Sequence, residues 1–261
     1  EKKVRDAVER VLTPKMREVE IRDFAALHLP PLPGTARESA LLAERAKRWN
    51  WPMQVFDQAQ ASKSQLHAVQ SPRILHLATH GFFLGEKENR QAGETENLRG
   101  VGGIRPLEEF GAPGESAGFL RPRGVLKNPM HRSGLALAGA QTTLDAWRRG
   151  ETPSSSDDGI VTAAEVGTLK LEGTELVVLS ACETGVGEAK SGEGVLGLRR
   201  GFIQAGAKNL LMTLWSVADE ETAQLMAEFY ERFHATGDAP QALADVQRDW
   251  LVRLRRERGL R

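Results

Sequence analysis

His80 with Gly81, and the single cysteine, Cys182, are the residues of this chain whose types could do chemistry together. Each follows a short apolar run. Arg73–Thr79, R-I-L-H-L-A-T, delivers His80 and Gly81, and Glu175–Ser180, E-L-V-V-L-S, leads to Cys182. Runs this short, rich in Leu and Val, read as strands buried on both faces, the pattern of parallel strands. In open α/β sheets ligands bind at the carboxyl ends of such strands. If the two strands are neighbours, about 4.8 Å apart, imidazole and thiol project into one crevice. A thiol with a pKa of about 8.5 is mostly protonated at neutral pH, and a nearby histidine can take its proton, leaving a thiolate that attacks a carbonyl. The developing oxyanion needs donors. Gly81 lets the backbone approach a ligand closely, and its N–H with that of Cys182 could form the hole. The competing reading is a lone cysteine packed as a small hydrophobe.

Other groups weigh less. His76 is mid-strand and reads as a packed core histidine. It forms no zinc pair with His80, because four strand residues span roughly 13 Å, and no metal or cofactor is expected. G-E-G-V-L-G at 192–197 matches G-x-G-x-x-G and opens a helix. A dinucleotide fingerprint should follow its strand directly, and Glu193 would repel phosphate. That stretch therefore reads as a turn allowing close packing.

The elements that must position these residues follow the same logic. A charged helix is expected over 1–12, ended by Thr13-Pro14. Pro30-Pro31-Leu32-Pro33-Gly34 is a firm break, after which Thr35 with Glu38 has capping-box spacing for a helix. Met53–Phe56 reads as a short strand and 62–69 as a helix. From Leu84 to Arg132 no period is sustained. A loop this long is either functional or disordered, and this one is expected to be exposed and mobile, a lid or processing site. Ser133–Ala138 reads as a strand and Arg148–Asp158 as a flexible connector. Thr162 and Glu165 form a second capping box. Beyond Cys182, helices are expected over 195–205 and from Asp219 to His234, with a strand over 208–215 between them. The last helix is capped by Asp238 with Pro240 in its first turn. Strands alternating with helices give a mostly parallel sheet covered on both faces.

Composition sets the frame. The 261 residues suffice for a sizeable core in one domain, and Lys plus Arg equals Asp plus Glu at 35 each. A zero net charge argues against nucleic acid as the main partner. The six Arg of the last fourteen residues read as a solvated helix face. One cysteine excludes an internal disulfide and fits a reducing compartment. No run approaches the roughly 18 apolar residues of a membrane span, and no h-region follows Glu1-Lys2-Lys3. The expectation is a soluble, cytoplasmic protein with no membrane partner.

H-L-A-T-H-G at 76–81, S-G-L-A-L-A-G at 133–139, D-G-I-V-T-A-A-E-V at 158–166, L-S-A-C-E-T-G at 179–185, G-E-G-V-L-G-L-R-R at 192–200, A-G-A-K at 205–208 and L-W-S-V-A-D-E at 214–220 occur in this order. Together they resemble the CHAT domain, a relative of caspases and separases often fused to tetratricopeptide repeats. The resemblance implies an α/β fold, a caspase-like three-layer α/β/α sandwich, occupying 32–261 after an N-terminal helix and linker at 1–31. It also implies a His80–Cys182 dyad in a cysteine endopeptidase that acts on protein or peptide substrates. A regulatory protein or tetratricopeptide module would switch it on, in bacterial signalling or defence. In caspase-like folds the residue two before the cysteine lines the pocket for the side chain preceding the cut. Here that is Ser180, small and neutral, so an acidic pocket has no visible source. Trp215 and Ser216 would border the peptide. The family's closing strand is not seen before Arg261, and Gly201 stands in a helix where alanine is common, at a cost of about 1 kcal/mol. The alternative function is an inactive CHAT pseudoprotease serving as an interaction module. A nucleotide-binding domain is a third reading.

Overall fold

The computed structural model of the chain describes residues 27–84, 129–151, 157–186, 193–213 and 219–259, with backbone alone at 129, 181–186, 193–195 and 219–220. The helix expected over 1–12 and most of the 84–132 insert lie outside these residues. Five strands, β1 (Ile74–Leu84), β2 (Ser133–Ala136), β3 (Ile160–Thr162), β4 (Leu176–Val186) and β5 (Leu210–Met212), form one sheet in the order β3-β2-β1-β4-β5. β1 pairs β4 in parallel over its whole length, and β4 pairs β5 in parallel. β2 runs antiparallel to both β1 and β3.

The expected mostly parallel sheet is therefore mixed. A four-residue apolar run carries no mark of direction, so Ser133–Ala136 could be recognised as a strand but not oriented. The two central strands are also longer than their apolar runs. β1 continues through Gly81-Phe82-Phe83-Leu84 and β4 through Glu183-Thr184-Gly185-Val186. Pairing with each other carries both strands past His80 and Cys182. Met53–Phe56 joins no sheet: Met53, Val55 and Phe56 are about two-fifths exposed. Its alternation is strand-like, but a strand needs a partner.

The helices are α1 (Pro33–Arg48), α2 (Lys63–Ala68), α3 (Pro129–Arg132), α4 (Ala140–Arg148), α5 (Ala163–Val166), α6 (Glu193–Gln204), α7 (Asp219–Thr236) and α8 (Ala239–Glu257). Alternation along the strands sends even and odd positions of β1 and β4 to opposite faces. The face bearing Leu176 and Val178 packs Leu42 of α1, Met226, Phe229, Tyr230 and Phe233 of α7, and Ala242 of α8. The face bearing Val177 and Leu179 packs Val166 of α5 and Leu198 and Phe202 of α6. A third cluster joins Phe82 and Leu84 of β1 to Ala140 and Leu144 of α4. Helices on both faces make this a three-layer α/β/α sandwich, as expected.

Two sequence details change meaning in three dimensions. α1 starts at Pro33 with Leu32 as N-cap and no side-chain cap, so Thr35 lies inside the helix and Glu38 caps nothing. Proline in the first turn does the starting, since its missing N–H costs nothing there. Gly201 is required rather than merely tolerated. A Cβ at that position would stand 2.5 Å from the Ala163 carbonyl oxygen and 3.2 Å from Val166 Cγ1, so only glycine lets α6 lie this close to α5.

The caps expected at Thr162 and Asp238 form, and Ser62 caps α2 as well. Ser62 accepts from the Gln65 N–H of α2, Thr162 and Glu165 close a full capping box on α5, and Asp238 accepts from the Gln241 N–H of α8. The supposed connector between α4 and β3 is tied down at its far end. Asp157 accepts from the Lys63 and Ser64 N–H groups of α2, at 3.0 and 3.1 Å. Lys63 Nζ reaches Glu165 at 2.7 Å, Asp158 at 3.1 Å and the Ile160 carbonyl at 2.8 Å. Residues 152–156 lie outside the described set.

Burial opposes charge in this cluster, but the Lys63 bond outweighs it and holds Glu165 below the ordinary carboxylate value. Burial likewise works against Lys63, and its bond to Glu165 still raises it. At Asp157 desolvation is again outweighed, by bonds from Ser64, and the carboxyl is lowered. Lowered carboxyls stabilise the fold above their unfolded values of about 3.9 and 4.3, and lose that contribution as pH falls through their folded values. A raised lysine stabilises below about 10.4 and loses its contribution as pH rises through its folded value. Replacing Lys63 with Met is expected to cost about 1–3 kcal/mol at pH 7, between the exposed and fully buried cases and discounted for solvent screening at Glu165. Urea unfolding should show the gap from wild type closing below about pH 4, where the carboxyls lose their charge.

Candidate active site

β1 and β4 set the site by their register. His80 pairs with Cys182, Ala78 with Ser180 and His76 with Val178. Register partners in a parallel pair share one sheet face about 4.8 Å apart. His80 and Cys182 are therefore adjacent along the backbone ladder. They do not sit at strand tips. Four residues of each strand follow them, Gly81–Leu84 and Glu183–Val186.

His80 is 8% exposed. Its Nε2 lies 2.6 Å from the main-chain oxygen of Pro30. A carbonyl can only accept, so Nε2 carries a hydrogen. This contact fixes the ring's orientation. It arises because Pro30-Pro31 leads directly into Pro33 at the start of α1, which brings the segment across the sheet face. Sequence reasoning saw only a break there.

Gly81 is buried inside the ladder, between Leu135 of β2 and Glu183 of β4. Its N–H is thus directed along the sheet toward a neighbouring strand. Thr79 donates its hydroxyl to the Ala136 carbonyl and ties β1 to β2 beside His80. Trp215 and Ser216 lie outside the described residues.

A polar network occupies the same face immediately before the His80–Cys182 row. Ser180 Oγ donates to Glu38 Oε2 at 2.8 Å, and the other carboxylate oxygen meets His76 Nε2 at 2.9 Å. His76 Nδ1 is 3.1 Å from the Tyr230 hydroxyl. His76 is accordingly a bonded core histidine, held on both ring nitrogens. Burial, reinforced by the Glu38 charge, pushes the Tyr230 hydroxyl well above its ordinary value. Tyr230 therefore keeps its proton at neutral pH. Sequence reasoning missed Glu38, having assigned it to a cap. The available signal was its place one helical turn after Gly34, on the same stripe as Leu42 and Ala46. Among the described residues no group of three metal-ligating side chains occurs, and no helix is long and apolar enough to cross a membrane.

The family model for the CHAT domain matches residues 13–258. The chain belongs to the CHAT domain family. Neither the curated proteins nor the solved structures compared with the chain gave a match. The match spans every described element up to α8, so the CHAT region is the mixed-sheet sandwich itself. The CHAT domain is caspase-like and points to a peptidase family. On this CHAT sandwich His80, Gly81, Ser180 and Cys182 fall on β1 and β4, and α1 supplies Glu38, a partner that the sequence did not reveal.

Proposed function

We propose that the chain is a cysteine endopeptidase in which His80 and Cys182 work as a dyad. The observation that carries this reading is the register pairing of His80 with Cys182 across β1 and β4. The Pro30 carbonyl supports it by orienting the ring through Nε2, and Nδ1 is the proposed base. In this mechanism Nδ1 takes the thiol proton, and the sulfur attacks the carbonyl of the bond to be cut. The imidazolium then protonates the departing amine, and water hydrolyses the thioester with His80 as base.

The Gly81 and Cys182 N–H groups are the proposed oxyanion donors, which requires the strand ends to part as the peptide enters. Ser180 borders the pocket for the residue before the cut, and Trp215 and Ser216 flank the peptide. A regulatory protein or tetratricopeptide module, and a role in bacterial signalling or defence, remain part of the proposal through the family resemblance.

An unbiased peptide library tests the function directly, with Cys182 alkylation by iodoacetamide at neutral pH as a second readout. The expected result is cleavage at defined sequences and labelling of Cys182 in the folded protein. An unlabelled thiol together with an intact library would sink the proposal and leave an interaction module.

A further inference from the structure

Glu38 of α1 bonds to both strands that carry the dyad. The residue is 2% exposed. One carboxylate oxygen accepts from Ser180 Oγ of β4 at 2.8 Å, and the other meets His76 Nε2 of β1 at 2.9 Å. A carboxylate only accepts, so the second contact holds whether His76 is charged or neutral. Ser180 stands two positions before Cys182 and His76 four before His80, so this clamp closes on the two strands just ahead of the dyad row.

What the clamp pins is the lead into α1. Pro30, Pro31 and Pro33 have their φ angles locked by their rings, and Thr35 Oγ1 donates to the Leu32 carbonyl at 2.7 Å. The chain from Pro30 into the helix is therefore stiff, and a shift of α1 is passed on to the Pro30 carbonyl, 2.6 Å from His80 Nε2. The far end of the segment is held separately. Leu27 is buried with Phe82 and Leu84, and Arg148 donates to its carbonyl. His28 and Leu29 separate that anchor from Pro30 with no proline between, so it retains the chain without aiming the carbonyl.

We infer that Glu38 is a positioning residue of the dyad: it pins α1 to β1 and β4 so that the Pro30 carbonyl holds the His80 ring in its working orientation. The inference rests on the peptidase reading above. Glu38 acts through its two bonds rather than its charge. Glutamine can make both, its oxygen accepting from His76 Nε2 and its amide donating to a turned Ser180 hydroxyl, whereas alanine makes neither. Aspartate keeps the charge but is one methylene too short to reach both strands.

Nuclear magnetic resonance of the full chain with isotope-labelled histidine reads the contact directly, with His80→Gln identifying the His80 signal. Because His80 is 8% exposed and bonded to Pro30, its Nε2 hydrogen is expected to exchange slowly enough with water to be seen. Glu38→Ala and the milder Glu38→Asp should both lose that signal. Iodoacetamide should then label Cys182 at neutral pH at least about tenfold more slowly than in wild type, since a displaced imidazole no longer takes the thiol proton. Glu38→Gln should keep the signal and most of the labelling rate. Leu171→Ala, in the core of the opposite sheet face, controls for lost stability and should move neither readout. Thermal unfolding confirms that each variant folds. Glu38→Ala or Glu38→Asp with signal and rate intact, or slow labelling with the signal intact, overturns the inference. So does a Glu38→Gln that fails where Glu38→Asp succeeds, which would assign the role to charge. Failure of iodoacetamide to label even the wild type removes the peptidase reading, and with it the dyad that Glu38 would serve.

Discussion

Cys182→Ala is expected to lower the turnover of any peptide the chain cleaves by about four orders of magnitude or more. The sulfur is the proposed bond-forming atom, and no other cysteine exists to replace it. His80→Ala should cost nearly as much, because without a base the thiol stays protonated at neutral pH. Residues that act as one unit are strongly non-additive, so the double variant should be scarcely slower than either single one. Single-turnover kinetics on a cleaved library peptide would measure all three. Equal turnover by wild type and Cys182→Ala would end the dyad reading, and additive losses would separate the two residues' roles.

Phe229→Ala is expected to destabilise the fold by about 3–5 kcal/mol. Phe229 is fully buried on α7, stacked on Phe233 at 5.9 Å and edge-on to Tyr230 at 5.1 Å. It lies in the cluster that seats α7 against Leu176 and Val178 of β4. Truncation loses the ring's burial and leaves a cavity that the surrounding helices fill only in part. At about 2–4 °C per kcal/mol for a chain of this size, the midpoint should fall by roughly 10 °C. Calorimetry with a urea titration would check it, and a loss under about 1 kcal/mol would mean that α7 does not seat on the sheet as described. Because Tyr230 adjoins Phe229 and holds His76, the same variant should weaken the anchoring of Glu38.

Much of this site was legible in the residues alone. The two apolar runs gave β1 and β4, and the only cysteine and the His-Gly pair marked their carboxyl-terminal halves. The caps at Thr162 and Asp238 marked two helix starts. These features share a cause. Strand patterning and capping depend on interactions within a few residues, so local sequence specifies them. The Thr35–Glu38 spacing shows where that rule fails. A capping-box spacing is permissive, and here a proline start to α1 and the burial of Glu38 against the sheet prevailed over it.

By itself, then, the sequence determined the α/β class, the two central strands and the residues able to do chemistry. Only the tertiary structure decided that His80 and Cys182 are register partners, that β2 runs antiparallel, and that the Pro30 carbonyl orients His80 from 50 positions away. It likewise decided that Glu38 meets His76 and Ser180, and that Tyr230, 154 positions beyond His76, completes the network. Register and strand direction are settled by which apolar faces bury best against each other. Polar groups so far apart in the chain meet only after that packing has been chosen.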